Sequence, residues 1–151
     1  MLDDLDRRIL RHMQADPTLS SPDMADRLGL TVSRLSRRLD KLSETGVLRG
    51  QRAVINWQAL GYAVEVSLRV TLDKTQTRAF DDFIIAARDI AEVIEIQTFL
   101  GRVDVRLSVI ARDMAHYQQI YRTRILTLPH IADIEALMLV SRVKSDESLP
   151  L

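Results

Sequence analysis

Cysteine is absent from all 151 residues of this chain. Its absence excludes disulfides, thiolate catalysis and cysteine-based zinc or iron–sulfur centres, and leaves stability to packing and to association between chains. No apolar run approaches the roughly 20 residues that a membrane-spanning helix needs. The opening MLDDLDRRIL is too charged for a secretory signal, so a cytoplasmic protein with no membrane partner is expected. Net charge is also missing: 21 Lys and Arg balance 21 Asp and Glu, which argues against a chain that coats nucleic acid along its whole surface. His12, His116 and His130 fall on separate elements without metal-ligand spacing, and there is no Gly-rich phosphate loop or nucleophile motif. No catalytic residue, metal site or cofactor is assigned, and an enzyme is not expected.

What the chain does contain is a 46% apolar share, enough for the core of one ordinary domain or two very small ones. Leu5, Ile9 and Met13, flanked by Leu2 and Leu10, recur at helical spacing, with Asp3 and Asp6 placed to cap and charge the first turn. That pattern predicts a helix to about Gln14, ended before Asp16 and Pro17. Ser20, Ser21 and Pro22 announce a second helix, because hydroxyls satisfy the free N–H groups of a first turn and proline tolerates that turn. It buries Met24, Ala25 and Leu28 and stops at Gly29. Thr31 caps a third helix running to about Leu42, in which Leu35, Leu39 and Leu42 follow i, i+4, i+7, and Gly46 suits its left-handed end. Only Gly29 and Leu30 separate the second and third helices, the tight connection of a helix-turn-helix. The apolar residues between Val47 and Asn56, set around a basic centre, read as strands or an extended wing.

Beyond Gly61 the period changes from helical to alternating. Val64, Val66, Leu68, Val70 and Leu72 alternate with polar residues, as in a strand with one covered face. Thr75 to Arg88 reads as a helix, and two alternating strands follow at Ala91 to Phe99 and Val103 to Ala111, with Gly101 in the hairpin between them. Asp113 caps a further helix that Pro129 stops after Leu128, and Ile134 to Val143 is strand-like. The order β-α-β-β-α-β predicts a ferredoxin-like, antiparallel sheet with both helices on one face, and an α+β fold class for the whole chain.

The third helix carries the functional signal. Its leucines fix one face to the core and leave Ser33, Arg34, Arg37, Arg38 and Lys41 on the others, while Arg49 and Arg52 add charge just beyond. Against a neutral whole chain, six basic residues between Thr31 and Arg52 face only Asp40 and Glu44, a local footprint for phosphate binding. In helix-turn-helix docking the start of the recognition helix meets base edges while flanking groups hold phosphates. Ser33, Arg34 and Arg37 are therefore expected to read bases in double-stranded DNA, and Arg38, Lys41, Arg49 and Arg52 to grip its backbone, with Thr31 at the helix start.

LDDLDRRIL, followed by GLTVSRLSRRLDKLSETGVLRG, resembles the Lrp/AsnC family of feast/famine regulators. FLGRVDVRLSV is similar to that family's strand–turn–strand with a Gly-x-x-Asp turn, and ILTLPHIADIEALMLVSRVK to its last helix, proline break and final strand. The resemblance implies a winged helix-turn-helix over residues 1–50, a connecting strand or hinge over 51–61, a ferredoxin-like ligand-sensing domain over 62–144 and a C-terminal tail over 145–151. It implies a homodimer, often assembled as four dimers into an octamer. It also implies an amino-acid effector held by the turn and nearby strands, here Gly101, Arg102, Val103 and Asp104 with Thr98, Ile134 and Ala136. Arg102 departs from the acidic residue many members carry, which favours an acidic ligand or an ion pair within the protein. Ile134 and Ala136 are apolar where some members place hydroxyls, so fewer polar contacts to an effector are expected. The alternative on the same fold is an effector-independent, DNA-organising protein.

Overall fold

The computed structural model describes residues 2–145 and 148–151. The chain forms two compact units, one built from residues up to Val54 together with the segment from Lys144, the other from Ile55–Val143.

The first unit holds three helices, α1 (Asp4–Ala15), α2 (Ser21–Leu28) and α3 (Val32–Glu44). Each starts at the residue expected to cap it. The Asp3 carboxylate accepts the Asp6 N–H at 2.9 Å and the Asp6 carboxylate accepts the Asp3 N–H at 3.2 Å, a capping box made by two aspartates. Ser20 Oγ accepts the Asp23 N–H and Thr31 Oγ1 the Arg34 N–H, both at 3.2 Å. Gly29 closes α2 at φ 66°, a left-handed conformation that a side chain disfavours, and this lets the chain turn at once into α3. Ile9, Met24, Ala25, Leu28, Leu35 and Leu42 are buried together, with Leu5, Met13 and Leu39 packed around them.

The stretch Val47 to Asn56, expected as strands or an extended wing, is irregular and forms no strand; Val54 is 93% exposed. A short extended segment with no ladder partner in its own chain leaves its N–H and C=O groups to water and gains nothing from strand geometry. The C-terminal segment packs back on α1. Leu149 is paired in both directions with the Gln14 side chain, its N–H donating to Oε1 at 2.6 Å and its carbonyl accepting from Nε2 at 3.3 Å. Arg11 Nε donates to the Leu151 carbonyl at 2.7 Å. Residues 148–151 therefore lie along α1, within the first unit; positions 146 and 147 of the expected tail lie outside the described residues.

The second unit runs β1 (Val64–Leu72), α4 (Ala79–Arg88), β2 (Val93–Thr98), β3 (Val105–Ala111), α5 (Met114–Ile120) and β4 (Ile131–Met138). The strands form one antiparallel sheet in the order β2-β3-β1-β4, the expected βαββαβ arrangement. Val66, Leu68, Val70 and Leu72 of β1 and Val105, Leu107, Val109 and Ala111 of β3 share a buried face with Ala79, Phe83 and Ala87 of α4 and Tyr117 and Ile120 of α5. Alternation along the strands thus becomes a two-layer core.

The ends of α4, α5 and β4 differ most from those expected. α4 begins at Ala79 and not at Thr75, because the Asp73 carboxylate accepts both the N–H and the hydroxyl of Thr75, at 3.0 and 2.7 Å, and holds a local turn that competes with helix. α5 gives way at Tyr121–Ile125 to a wider, π-type turn. β4 spans Ile131–Met138, not Ile134 to Val143, because its partner β1 begins only at Val64 and extends past a bulge at Thr71/Leu72 to pair Leu72 with Ile131.

Candidate functional site

Leu35 and Leu42 are buried and Leu39 is half-buried, so one side of α3 is committed to the core. Ser33, Arg34, Arg37 and Lys41 are all exposed on the rest of the helix. Arg49 and Arg52 are exposed on the irregular stretch that follows. Among the described residues, none of the five cationic side chains Arg34, Arg37, Lys41, Arg49 and Arg52 enters a hydrogen bond or ion pair. Val32 and Ser36, uncharged and so unmarked by charge patterning, share the exposed surface with Asp40.

Arg38, expected among the phosphate-gripping residues, differs from these five cations in being ion-paired within the chain. Its guanidinium donates to Asp3 Oδ2 at 2.5 Å and to Asp6 Oδ1 at 3.0 Å, and the Asp6 side chain is 2% exposed. The Asp6 N–H, followed by the Arg38 guanidinium, holds the Asp3 carboxyl below the usual carboxylate range. Asp3 and then Asp6 hold Arg38 above its ordinary value. Arg38 therefore neutralises a buried carboxylate at the start of α1 and locks α3 to that helix.

Arg38→Ala is expected to lower the thermal unfolding midpoint clearly, whereas Arg37→Ala, with no partner to lose, leaves it unchanged. The lowered folded-state pKa of Asp3 contributes stability that is complete above about pH 4 and is lost as pH falls through the folded value. Melting followed by circular dichroism should accordingly show a shallower acid limb in Arg38→Ala than in the parent.

The candidate effector residues do not converge within one chain. Thr98 pairs with Val105, Val105 with Val70 and Val70 with Ile134, so Thr98 and Ile134 sit in one row on opposite edges of the sheet. Three strand spacings put their backbones about 14 Å apart. Ala136 is exposed on β4, level with Leu68. Gly101 and Arg102 are exposed and Val103 is half-buried. Arg102 makes no ion pair with any described residue, and its carbonyl accepts from Thr71 Oγ1 at 2.9 Å. Asp104 behaves differently from the rest of the turn: it is buried, accepts the Leu72 N–H through Oδ2 at 2.8 Å and faces Lys74 Nζ through Oδ1 at 3.1 Å. Thr71 and Lys74 escaped the sequence reading because they lie about thirty positions from the turn they touch, with no local spacing to mark them.

No three His, Asp or Glu among the described residues could jointly hold a metal ion, and no helix among them is long and apolar enough to cross a membrane. A helix-turn-helix with free cations on its outward face, carried on the same chain as a separate βαββαβ unit, has the design of a two-unit DNA-binding regulator. Residues 2–49 match the winged helix-turn-helix DNA-binding family and residues 65–149 match the Lrp/AsnC ligand binding domain. The chain belongs to the Lrp/AsnC family of transcriptional regulators.

It is 31% identical over 143 residues to the proline dehydrogenase transcriptional activator of Rhizobium radiobacter, covering 95% of this chain and 92% of the relative. Its fold matches an AsnC family transcriptional regulator of Agrobacterium tumefaciens with a TM-score of 0.87 at 30% identity, over 99% of this chain and 97% of the other. A feast or famine regulatory protein from M. tuberculosis, complexed with L-methionine, matches with a TM-score of 0.86 at 27% identity over 99% of both chains. These relatives favour the transcription regulator over the DNA-organising alternative.

Proposed function

We propose that this regulator acts as a symmetric homodimer whose two helix-turn-helices enter successive major grooves of double-stranded DNA, and that an amino-acid effector alters their spacing. Ser33, Arg34 and Arg37 read base edges. Lys41, Arg49 and Arg52 hold phosphates, and the Thr31 hydroxyl, whose oxygen caps α3, keeps its proton for a phosphate oxygen. The observation that carries this reading is the set of unpaired cations on the outward face of a helix anchored by Leu35 and Leu42. Were these arginines tied into internal ion pairs, as Arg38 is, the face would have nothing to offer DNA.

The effector reading draws on the L-methionine complex of the M. tuberculosis relative and on the placement of Thr98, the turn 101–104, Ile134 and Ala136. With Thr98 and Ile134 at opposite sheet edges, a site using both takes one edge from each of two chains. Dimers joined in this way, edge to edge, close into an octamer of four.

Fluorescence anisotropy with an operator fragment and a scrambled duplex at fixed salt tests the DNA reading. Operator affinity should exceed scrambled affinity by about a thousandfold or more. Equal affinities across unrelated sequences would return the DNA-organising alternative.

A further inference from the structure

We propose that Asp104 is a positioning residue which braces the effector turn against β1 and the entry of β4, and that it is not itself a contact to the effector. The inference rests on the reading that the turn 101–104 takes an amino acid. Every polar group of Asp104 is already used inside the chain. Its N–H donates to the Val70 carbonyl at 2.9 Å and its own carbonyl accepts the Phe99 N–H at 2.9 Å. One carboxylate oxygen takes the Leu72 N–H at 2.8 Å and the other faces Lys74 Nζ at 3.1 Å. With only 7% of the residue exposed and a donor already on each carboxylate oxygen, an incoming ammonium would compete with Lys74 and with the Leu72 N–H for a nearly covered group.

The brace sits where the sheet changes partners. The β1–β3 ladder ends at Val70 with Val105, and just beyond it the Asp104 carboxylate takes the Leu72 N–H. Leu72 pairs in turn with Ile131 across the β1–β4 bulge, and the Asp73 N–H donates to the His130 carbonyl at 2.8 Å. His130 holds a left-handed φ of 65°, rare for a residue with a side chain, and its Nε2 lies 3.1 Å from Asp82 Oδ2. Thr71 adds a second tie from β1 to the turn through the Arg102 carbonyl. A displacement of the turn therefore reaches the start of β4, the strand carrying Ile134 and Ala136, through Asp104, Leu72 and Ile131. What the turn leaves to an effector is the exposed main chain at Gly101 and the free guanidinium of Arg102, suited to a carboxylate.

The test compares the full-length protein with Asp104→Asn and Asp104→Ala. Asparagine keeps an acceptor for the Leu72 N–H but removes the negative charge; alanine removes both. Calorimetry with L-methionine and the other standard L-amino acids gives effector affinity, and hydrogen exchange at the Leu72 amide reports the brace directly.

The expected result is effector affinity within about threefold of the parent in Asp104→Asn. The Leu72 amide should be protected in the parent and in Asp104→Asn, and should exchange about tenfold faster or more in Asp104→Ala. A loss of affinity of about tenfold or more in Asp104→Asn, with Leu72 still protected, would make Asp104 a direct ammonium contact and overturn the inference. A fast-exchanging Leu72 amide in the parent would overturn the brace itself. If the parent binds no amino acid, the effector reading fails, and Leu72 exchange in the parent and Asp104→Asn still decides the brace. Should Asp104→Ala not fold, the comparison of those two proteins decides it alone.

Discussion

Arg34→Ala combined with Arg37→Ala is expected to weaken binding to the preferred operator by about thirtyfold or more. Both guanidiniums are exposed on α3, unpaired among the described residues, and one helical turn apart. A bidentate arginine–guanine pair is worth about 1–3 kcal/mol, so losing two removes roughly 2–6 kcal/mol of discrimination, an amount that alanine cannot recover. Binding to scrambled DNA should fall much less, because it rests on phosphate charge that Lys41, Arg49 and Arg52 still supply. Lys41→Ala is the contrast: it should weaken both duplexes alike and reduce the dependence of log affinity on log salt by about one unit. Anisotropy titrations across a salt series measure all three quantities. Unchanged operator affinity in the double variant would remove Arg34 and Arg37 from the groove.

Phe83→Ala is expected to destabilise the βαββαβ unit by about 3–5 kcal/mol, a large part of the roughly 5–15 kcal/mol that holds a domain folded. Phe83, on α4, is fully buried in the core that this helix shares with the sheet, where removing the ring leaves a void. Phe80 lies three residues earlier on the same helix and is exposed; its replacement by alanine should stay within about 0.5 kcal/mol. Urea unfolding, comparing midpoints at constant slope, separates the two. Equal losses would place the core on the wrong side of α4.

Much of this fold is legible in the chain because its signals are local. Asp3, Ser20 and Thr31 cap the helices they precede by contacts three residues long, and the alternation of Val66, Leu68, Val70 and Leu72 fixes a covered face without reference to any other strand. The errors arise where the deciding partner is distant. Val54 and Ile55 look strand-like, but a strand exists only with a ladder, and no described segment offers one. Arg37 and Arg38 are adjacent in sequence, yet only Arg38 is ion-paired among the described residues, because its partners Asp3 and Asp6 lie 35 and 32 positions away. The turn Gly101–Asp104 is readable as a motif; that its aspartate is consumed by Leu72 and Lys74 is not.

The docking of residues 148–151 on α1 has a consequence for how the protein is made. The unit that contains the helix-turn-helix is not contiguous: the segment beyond Lys144 returns to Arg11 and Gln14. At about 5–20 residues per second, the intervening residues 55–143 take roughly 4–18 s to leave the ribosome. During that interval the residues of all three helices and their core are already made, while the strap across α1 is not. The strap is therefore added only after the ligand-binding unit has been synthesised, so translation itself orders the two.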